Sequence, residues 1–132
     1  KDLPPRTKFR KWAKAALAQD AEIAVRLVDE AEGRALNRRY RRGDYPTNVL
    51  TFSYSDLVPL TGDIVLCAPV VTREAREQGI EMEAHYAHLT VHGVLHLQGY
   101  DHERKRDAAI MEALESAIVT KLGYADPYEK QG

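Results

Sequence analysis

All five histidines of the chain, His85, His88, His92, His96 and His102, fall within eighteen residues, and that stretch limits what the rest can fold into. Residues 81–98 are predicted as one helix whose faces are mainly apolar or histidine. Such a helix is expected to be largely buried, with other elements packed around it. A helix advances about 100° per residue. His92 and His96, four apart, therefore share a face at a separation of roughly 6 Å along the axis, the reach of two imidazoles onto one metal ion. Gly99 stands where a helix commonly ends in a left-handed residue, and a chain that turns back there brings His102 round as a third ligand. Three neutral imidazoles suit Zn²⁺, one ion per chain, and leave the fourth tetrahedral position for water. Water bound there ionises near pH 7, so the spacing describes a catalytic site better than a closed structural one.

The offsets of His92, His96, Gly99 and His102 are those of the metzincin protease motif H-E-x-x-H-x-x-G-x-x-H. The position after the first histidine differs: where those proteases keep a glutamate as general base, this chain has Gly93. The metal frame is present and the peptidase's base is absent, which argues against ordinary peptide hydrolysis.

Around the histidine helix the pattern is of short alternating elements. Phe9, Trp12, Ala13, Ala16 and Leu17 recur at helical spacing over 8–19. Residues 22–28 alternate as a strand, with Ile23, Val25 and Leu27 on one side. Asp29 followed by Glu32 is a capping-box pattern that opens a helix to about Arg39, and 43–46 is a turn. A second strand spans 48–54, 55–61 is a loop, and Gly62–Asp63 is a tight turn into a third strand at 64–67. Pro69 suits the first turn of a helix that runs to Gln78 and stops at Gly79. A last helix, 103–122, carries Ile110, Leu114, Ile118 and Leu122 in one stripe. The reading is an α+β fold, a small mixed sheet covered by about five helices, in one domain over 1–132. The formal net charge of −1 excludes a globally basic nucleic-acid binder, so RNA or DNA would need a local basic patch. The single Cys67 excludes an internal disulfide framework and reads as a small buried hydrophobe. No apolar run approaches the roughly 20 residues that span a bilayer and no signal-peptide pattern is present, so a soluble cytoplasmic protein without membrane partners is expected.

The run His92–His102 reads H-G-x-L-H-L-x-G-Y-D-H and resembles the signature of the YbeY family of bacterial endoribonucleases. Three further segments agree in order: Leu36–Asn37, Tyr40–Arg41, Asp44 and Pro46 to Leu50 with Phe52; then Gly62 to Val65; then Leu122–Gly123–Tyr124 with Asp126–Pro127–Tyr128. The resemblance covers most of the chain from about Glu22. The family usually opens with a strand before its first helix, for which residues 1–7 leave almost no room.

The resemblance implies a zinc-dependent endoribonuclease acting on single-stranded RNA. The expected partners are ribosomal RNA precursors, the small ribosomal subunit and its assembly factors. The expected roles are maturation of the 3′ end of the small-subunit RNA and ribosome quality control. It also implies a role for Arg41, which matches the arginine the family keeps beside its metal and would clamp a phosphate or stabilise charge in phosphoryl transfer. Arg38, Arg39 and Arg42 would add affinity for the RNA backbone; the same cluster, with Arg34, also reads as a solvated charge run at a helix C-terminus. His88 and His85 lie on the metal-side face, either as groups orienting a ligand or as packed histidines with one hydrogen bond. Asp101 has two readings of equal weight: it orients an imidazole or takes a proton from metal-bound water, or it caps the helix beginning near Glu103. The nucleophile is open between metal-bound water and the RNA 2′-hydroxyl. Two other functions stay compatible with the residues, a metal-dependent hydrolase of another substrate such as a peptide, and a non-catalytic ribosome assembly factor.

Overall fold

A computed structural model describes residues 3–41, with Arg41 by its backbone alone, 43–55 and 57–129. Its elements run α1 (Arg6–Ala16), β1 (Ala21–Val28), α2 (Glu30–Arg41), β2 (Val49–Ser55), β3 (Leu60–Cys67), α3 (Ala68–Gln78), α4 (Met82–Leu97) and α5 (Lys105–Lys121). The strands form one mixed sheet in the order β1-β3-β2, with β1 parallel and β2 antiparallel to β3. This is the α+β arrangement expected, three strands and five helices.

The central strand explains the layers. β3 is buried along both faces, whereas β1 alternates half-buried Ile23, Val25 and Leu27 with exposed Glu22, Ala24 and Arg26. One face of the sheet carries Ile64 and Leu66 into the main core, which Trp12 of α1, Val91 and Val94 of α4 and Met111 of α5 share. The other face carries Val28, Leu50, Val65 and Cys67 against Leu36 of α2. Cys67 is buried and free, as read.

Four expectations shift. β3 begins at Leu60, four residues before the strand read at 64–67, because its register with β1 runs from Ala21 opposite Leu60 to Val28 opposite Cys67. Gly62 and Asp63 are thus inside a strand and not a turn. A Cβ on Gly62 would lie 2.7 Å from the Phe52 carbonyl oxygen and 2.9 Å from Leu97, so the position is small to let α4 close onto the sheet. α1 ends at Ala16, short of residue 19, because Gln98 takes over its last turn. The Gln98 side chain donates to the Ala16 carbonyl at 2.7 Å and accepts from the Ala18 N–H at 2.9 Å. The buried stripe of α5 is Met111, Glu115 and Val119. Leu114, Ile118 and Leu122 pack at its margin, and Ile110 is exposed. The capping box is half formed: Asp29 Oδ1 accepts the Glu32 N–H at 2.9 Å, while the Glu32 carboxylate turns to Arg26.

α4 is the hub. Tyr86, Ala87, Val91 and Val94 have no exposure, as expected of the histidine helix. Gly93 faces Ile64 of β3, where a Cβ would meet three side-chain atoms at 3.1–3.3 Å. With Gly93 and Leu97 turned to the sheet, His92 and His96 are left on the flank. Lys8, Glu83 and Tyr124 fasten the start of α4 to α1 and to the tail. No helix among the described residues is long and apolar enough to cross a membrane.

Candidate metal centre

The end of α4 builds the site. Gly99 adopts φ 102°, the Gly99 N–H donates to the His96 carbonyl at 3.0 Å and the Tyr100 N–H to the Leu95 carbonyl at 3.2 Å. This is the hooked terminus that a glycine permits, and it reverses the chain as the sequence predicts. His102 returns beside the helix, its ring centroid 5.3 Å from that of His92 and 5.9 Å from that of His96; the two helical rings are 6.4 Å apart. Three imidazoles bound to one tetrahedral ion at about 2.0–2.1 Å have centroids roughly 5 Å apart. The observed triangle is that arrangement opened by about an ångström at its widest side.

The chemistry of the donors fits a metal as well as their spacing does. His92 Nδ1 is 2.7 Å from Glu115 Oε2, and His96 Nδ1 is 2.9 Å from the Tyr100 carbonyl. A carboxylate and a carbonyl only accept, so each neutral ring donates from Nδ1 and keeps the Nε2 lone pair free. All three rings retain exposure to solvent.

Asp101 joins the same cluster. One donor atom each from His96, Asp101 and His102 lie within 4.8 Å of one another. His92 stands outside that tight group and is brought in by its ring's approach to His102. One oxygen of Asp101 accepts the N–H groups of His102 at 2.7 Å and Glu103 at 3.2 Å. It therefore caps the turn ahead of α5 and not α5 itself, whose N-cap is Arg104.

Beneath the rings lies a carboxylate the sequence reading missed. Glu115 is fully buried and takes hydrogen bonds from His88 Nε2 at 2.7 Å, from His92 and from the Tyr128 hydroxyl. Burial alone would push its pKa up, but the bonds from His88, His92 and Tyr128 outweigh it and hold the carboxyl at about 2. The same contact and burial push the Tyr128 phenol well above its usual range. His85 is buried against Glu74 at 2.8 Å, and Asn48 donates to Glu74 at 3.0 Å; its Nδ1 has no partner among the described residues. His85 thus matches the packed-histidine reading, while His88 shares an acceptor with His92.

The basic cluster divides. Arg34 is bound by Asp44 through two bonds at 2.9 and 3.1 Å, and Arg38 reaches the same carboxylate at 3.7 Å. These two behave as a solvated, paired surface. Arg39 lies over the Tyr40 ring, 5.3 Å from its centroid. The backbone of Arg41 closes α2, which runs two residues past the end expected at about Arg39; its side chain and all of Arg42 lie outside the described residues.

Comparison with known proteins places this architecture. A family profile described as Endoribonuclease YbeY matches residues 5–123. The chain belongs to the YbeY endoribonuclease family. It is 61% identical over 127 residues to the Endoribonuclease YbeY of Nitrosomonas europaea, covering 96% of this chain and 77% of that one. It is 59% identical to the Endoribonuclease YbeY of Methylobacillus flagellatus, covering 98% of this chain and 87% of that one. Among solved structures, that of TM1509 from Thermotoga maritima superposes with a TM-score of 0.56 at 29% identity, covering 95% of this chain and 89% of that one. YbeY membership agrees with the mixed sheet, the five helices and the histidine cluster found here.

Proposed function

We propose that residues 1–132 form one metal-dependent endoribonuclease domain that cuts single-stranded RNA in ribosomal RNA maturation, including the 3′ end of the small-subunit RNA, and in ribosome quality control. The observation that carries this reading is the convergence of His92, His96 and His102 with the Nδ1 atoms of both helical rings already spent, in a chain of the YbeY family. His92, His96 and His102 would hold one zinc ion through imidazole nitrogen. Bound there, zinc supplies a Lewis acid for a phosphate oxygen and lowers the pKa of water towards 7.

The chain's own residues would do the rest. Asp101 has one oxygen tied to two backbone N–H groups, which fixes the carboxylate and leaves its other oxygen to accept a proton beside His96 and His102. Arg41 would clamp the phosphate next to the scissile bond, and Arg39 and Arg42 would add contacts along the backbone, with Arg38 available once released from Asp44. A single strand is favoured because rings set against the end of a largely buried helix are reached poorly by a paired duplex. In the cell, RNA substrate and ribosomal small subunit imply a cytoplasmic protein.

The test is elemental analysis of the purified protein with RNA cleavage assayed in the presence and absence of chelator. One equivalent of zinc, chelator-sensitive cleavage and near-zero zinc in His96→Ala are expected. Stoichiometric zinc in His96→Ala would refute the ligand assignment. Arg41→Glu should abolish cleavage and leave ribosome association intact; loss of both would favour a docking role over catalysis.

A further inference from the structure

The four-residue spacing that joins His92 to His96 also joins His88 to His92, so helical periodicity offers two imidazole pairs on one face. Ring centroids are 6.4 Å apart in both pairs. Helical spacing alone therefore does not choose between them; the place of the His102 ring, beside His92 and His96, does.

A buried carboxylate without partners is heavily penalised, and both oxygens of Glu115 are engaged. Oε1 takes His88 Nε2 and the Tyr128 hydroxyl, and Oε2 takes His92 Nδ1. Because a carboxylate only accepts, the nitrogens facing it carry the protons. His88 thereby spends Nε2, whereas His92 spends Nδ1 and keeps Nε2 unspent, on a ring whose centroid is 5.3 Å from that of His102. We infer that Glu115 is a positioning residue that holds His92 as the Nδ1–H tautomer, with Nε2 left for the metal, and keeps His88 engaged away from it. The inference rests on the ligand set proposed above.

Two further contacts support it. The partner of His96 is a neutral carbonyl, so His92 is the helical ligand backed by a charge, which raises the basicity of its free nitrogen. The segment after α5 folds over the carboxylate: Asp126 accepts from the Ser116 hydroxyl at 2.6 Å and from the Tyr128 N–H at 2.9 Å. That seats Tyr128 on Glu115.

The experiment compares Glu115→Met, which keeps the bulk and removes both acceptor oxygens, with Glu115→Gln, which serves if the first does not fold. Ser116→Ala is the control, loosening the tail without touching either histidine. Nitrogen-15 NMR of the metal-free wild type should find His92 protonated at Nδ1 and His88 at Nε2. In Glu115→Met the His92 signals should move towards the other tautomer. Zinc affinity, read by competition with a chromophoric chelator, should fall about 10–100-fold in the folded Glu115 variants and by a smaller factor in Ser116→Ala. Wild-type zinc affinity in a folded Glu115 variant, or an unchanged His92 tautomer in Glu115→Met, would overturn the inference. His92→Ala run in parallel separates the two failures. Zinc retained there removes His92 as a ligand, and this role with it. Zinc lost there but kept by the Glu115 variants removes the positioning role alone.

Discussion

Two glycines let α4 approach the sheet, and they should respond to alanine unequally. At Gly62 the added Cβ meets the Phe52 carbonyl oxygen at 2.7 Å and Leu97 at 2.9 Å. The carbonyl belongs to β2, whose ladder with β3 pairs Ser53 with Gly62 and Phe52 with Asp63, so it moves only if the ladder moves. Overpacking of this kind costs about 1–3 kcal/mol, against a gain of about 0.4–1 kcal/mol from a less flexible unfolded chain. The net expectation for Gly62→Ala is a loss of about 1–2 kcal/mol, a fall in Tm of roughly 3–8 °C for a chain of this size. At Gly93 the new atom meets only Ile64 side-chain carbons at 3.1–3.3 Å, which can yield by a few tenths of an ångström. Alanine in a helix interior regains about 1 kcal/mol over glycine, so Gly93→Ala should lie within about 1 kcal/mol of wild type. Urea unfolding of the metal-free proteins, with near-UV circular dichroism to confirm packing, measures both. Gly62→Ala as stable as wild type, or Gly93→Ala more damaging than Gly62→Ala, would refute the account of how α4 seats.

The pH dependence of the α1–α4–tail junction follows from Glu83, whose carboxyl is held below its ordinary range by bonds from Lys8 and Tyr124. A depressed folded pKa contributes stability above the unfolded value of about 4.3 and loses it as pH falls through the folded one. The difference in urea midpoint between wild type and Glu83→Gln should therefore stay level from about pH 7 to 5 and close below about pH 4. A gap that widens on acidification would contradict this. Gln98→Ala should cost about 1–2 kcal/mol by stranding the Ala16 carbonyl and Ala18 N–H. Faster hydrogen exchange confined to the end of α1 is expected; exchange unchanged there would show that water replaces the side chain without penalty.

Much of the site was legible because its signal is local. The spacing of His92, His96, Gly99 and His102 encodes both the shared helical face and the turn that brings the third ring back, and α4 and its hooked end form as that spacing predicts. The parts that escaped are those fixed by partners distant in sequence. Glu115 sits four residues from Met111 and from Val119. An acidic residue in such a stripe reads as the solvent edge, so the sequence pattern puts the apolar face through Ile110 and Leu114 instead. Its burial makes sense only once two histidines from α4 supply protons to it. A glutamate flanked at four-residue spacing by apolar residues, in a chain with surplus histidines, was the available clue. The early start of β3 escaped for a related reason: Leu60 and Thr61 are strand because β1 lies alongside them, and nothing in their own neighbourhood says so.

The same accounting explains how a helix can be both core and site. α4 is enclosed by the sheet, α1, α3 and α5, surroundings in which unpaired imidazole nitrogens are unfavourable. Its histidines are tolerated because the helices that cover it carry acceptors at the matching levels. Glu74 of α3, steadied by Asn48, meets His85, and Glu115 of α5 meets both His88 and His92. Only at the last turn, where α4 runs out from under α5, does a backbone carbonyl suffice, that of Tyr100 for His96. Polarity is therefore graded along the helix, from a column of histidines hydrogen-bonded to carboxylates at its middle to open ring edges at its end. His85 Nδ1 stays without a partner among the described residues, while the rings of His92 and His96 stand near the returning His102 at the end of the helix, so the packing that buries α4 also leaves the proposed metal site at its terminus.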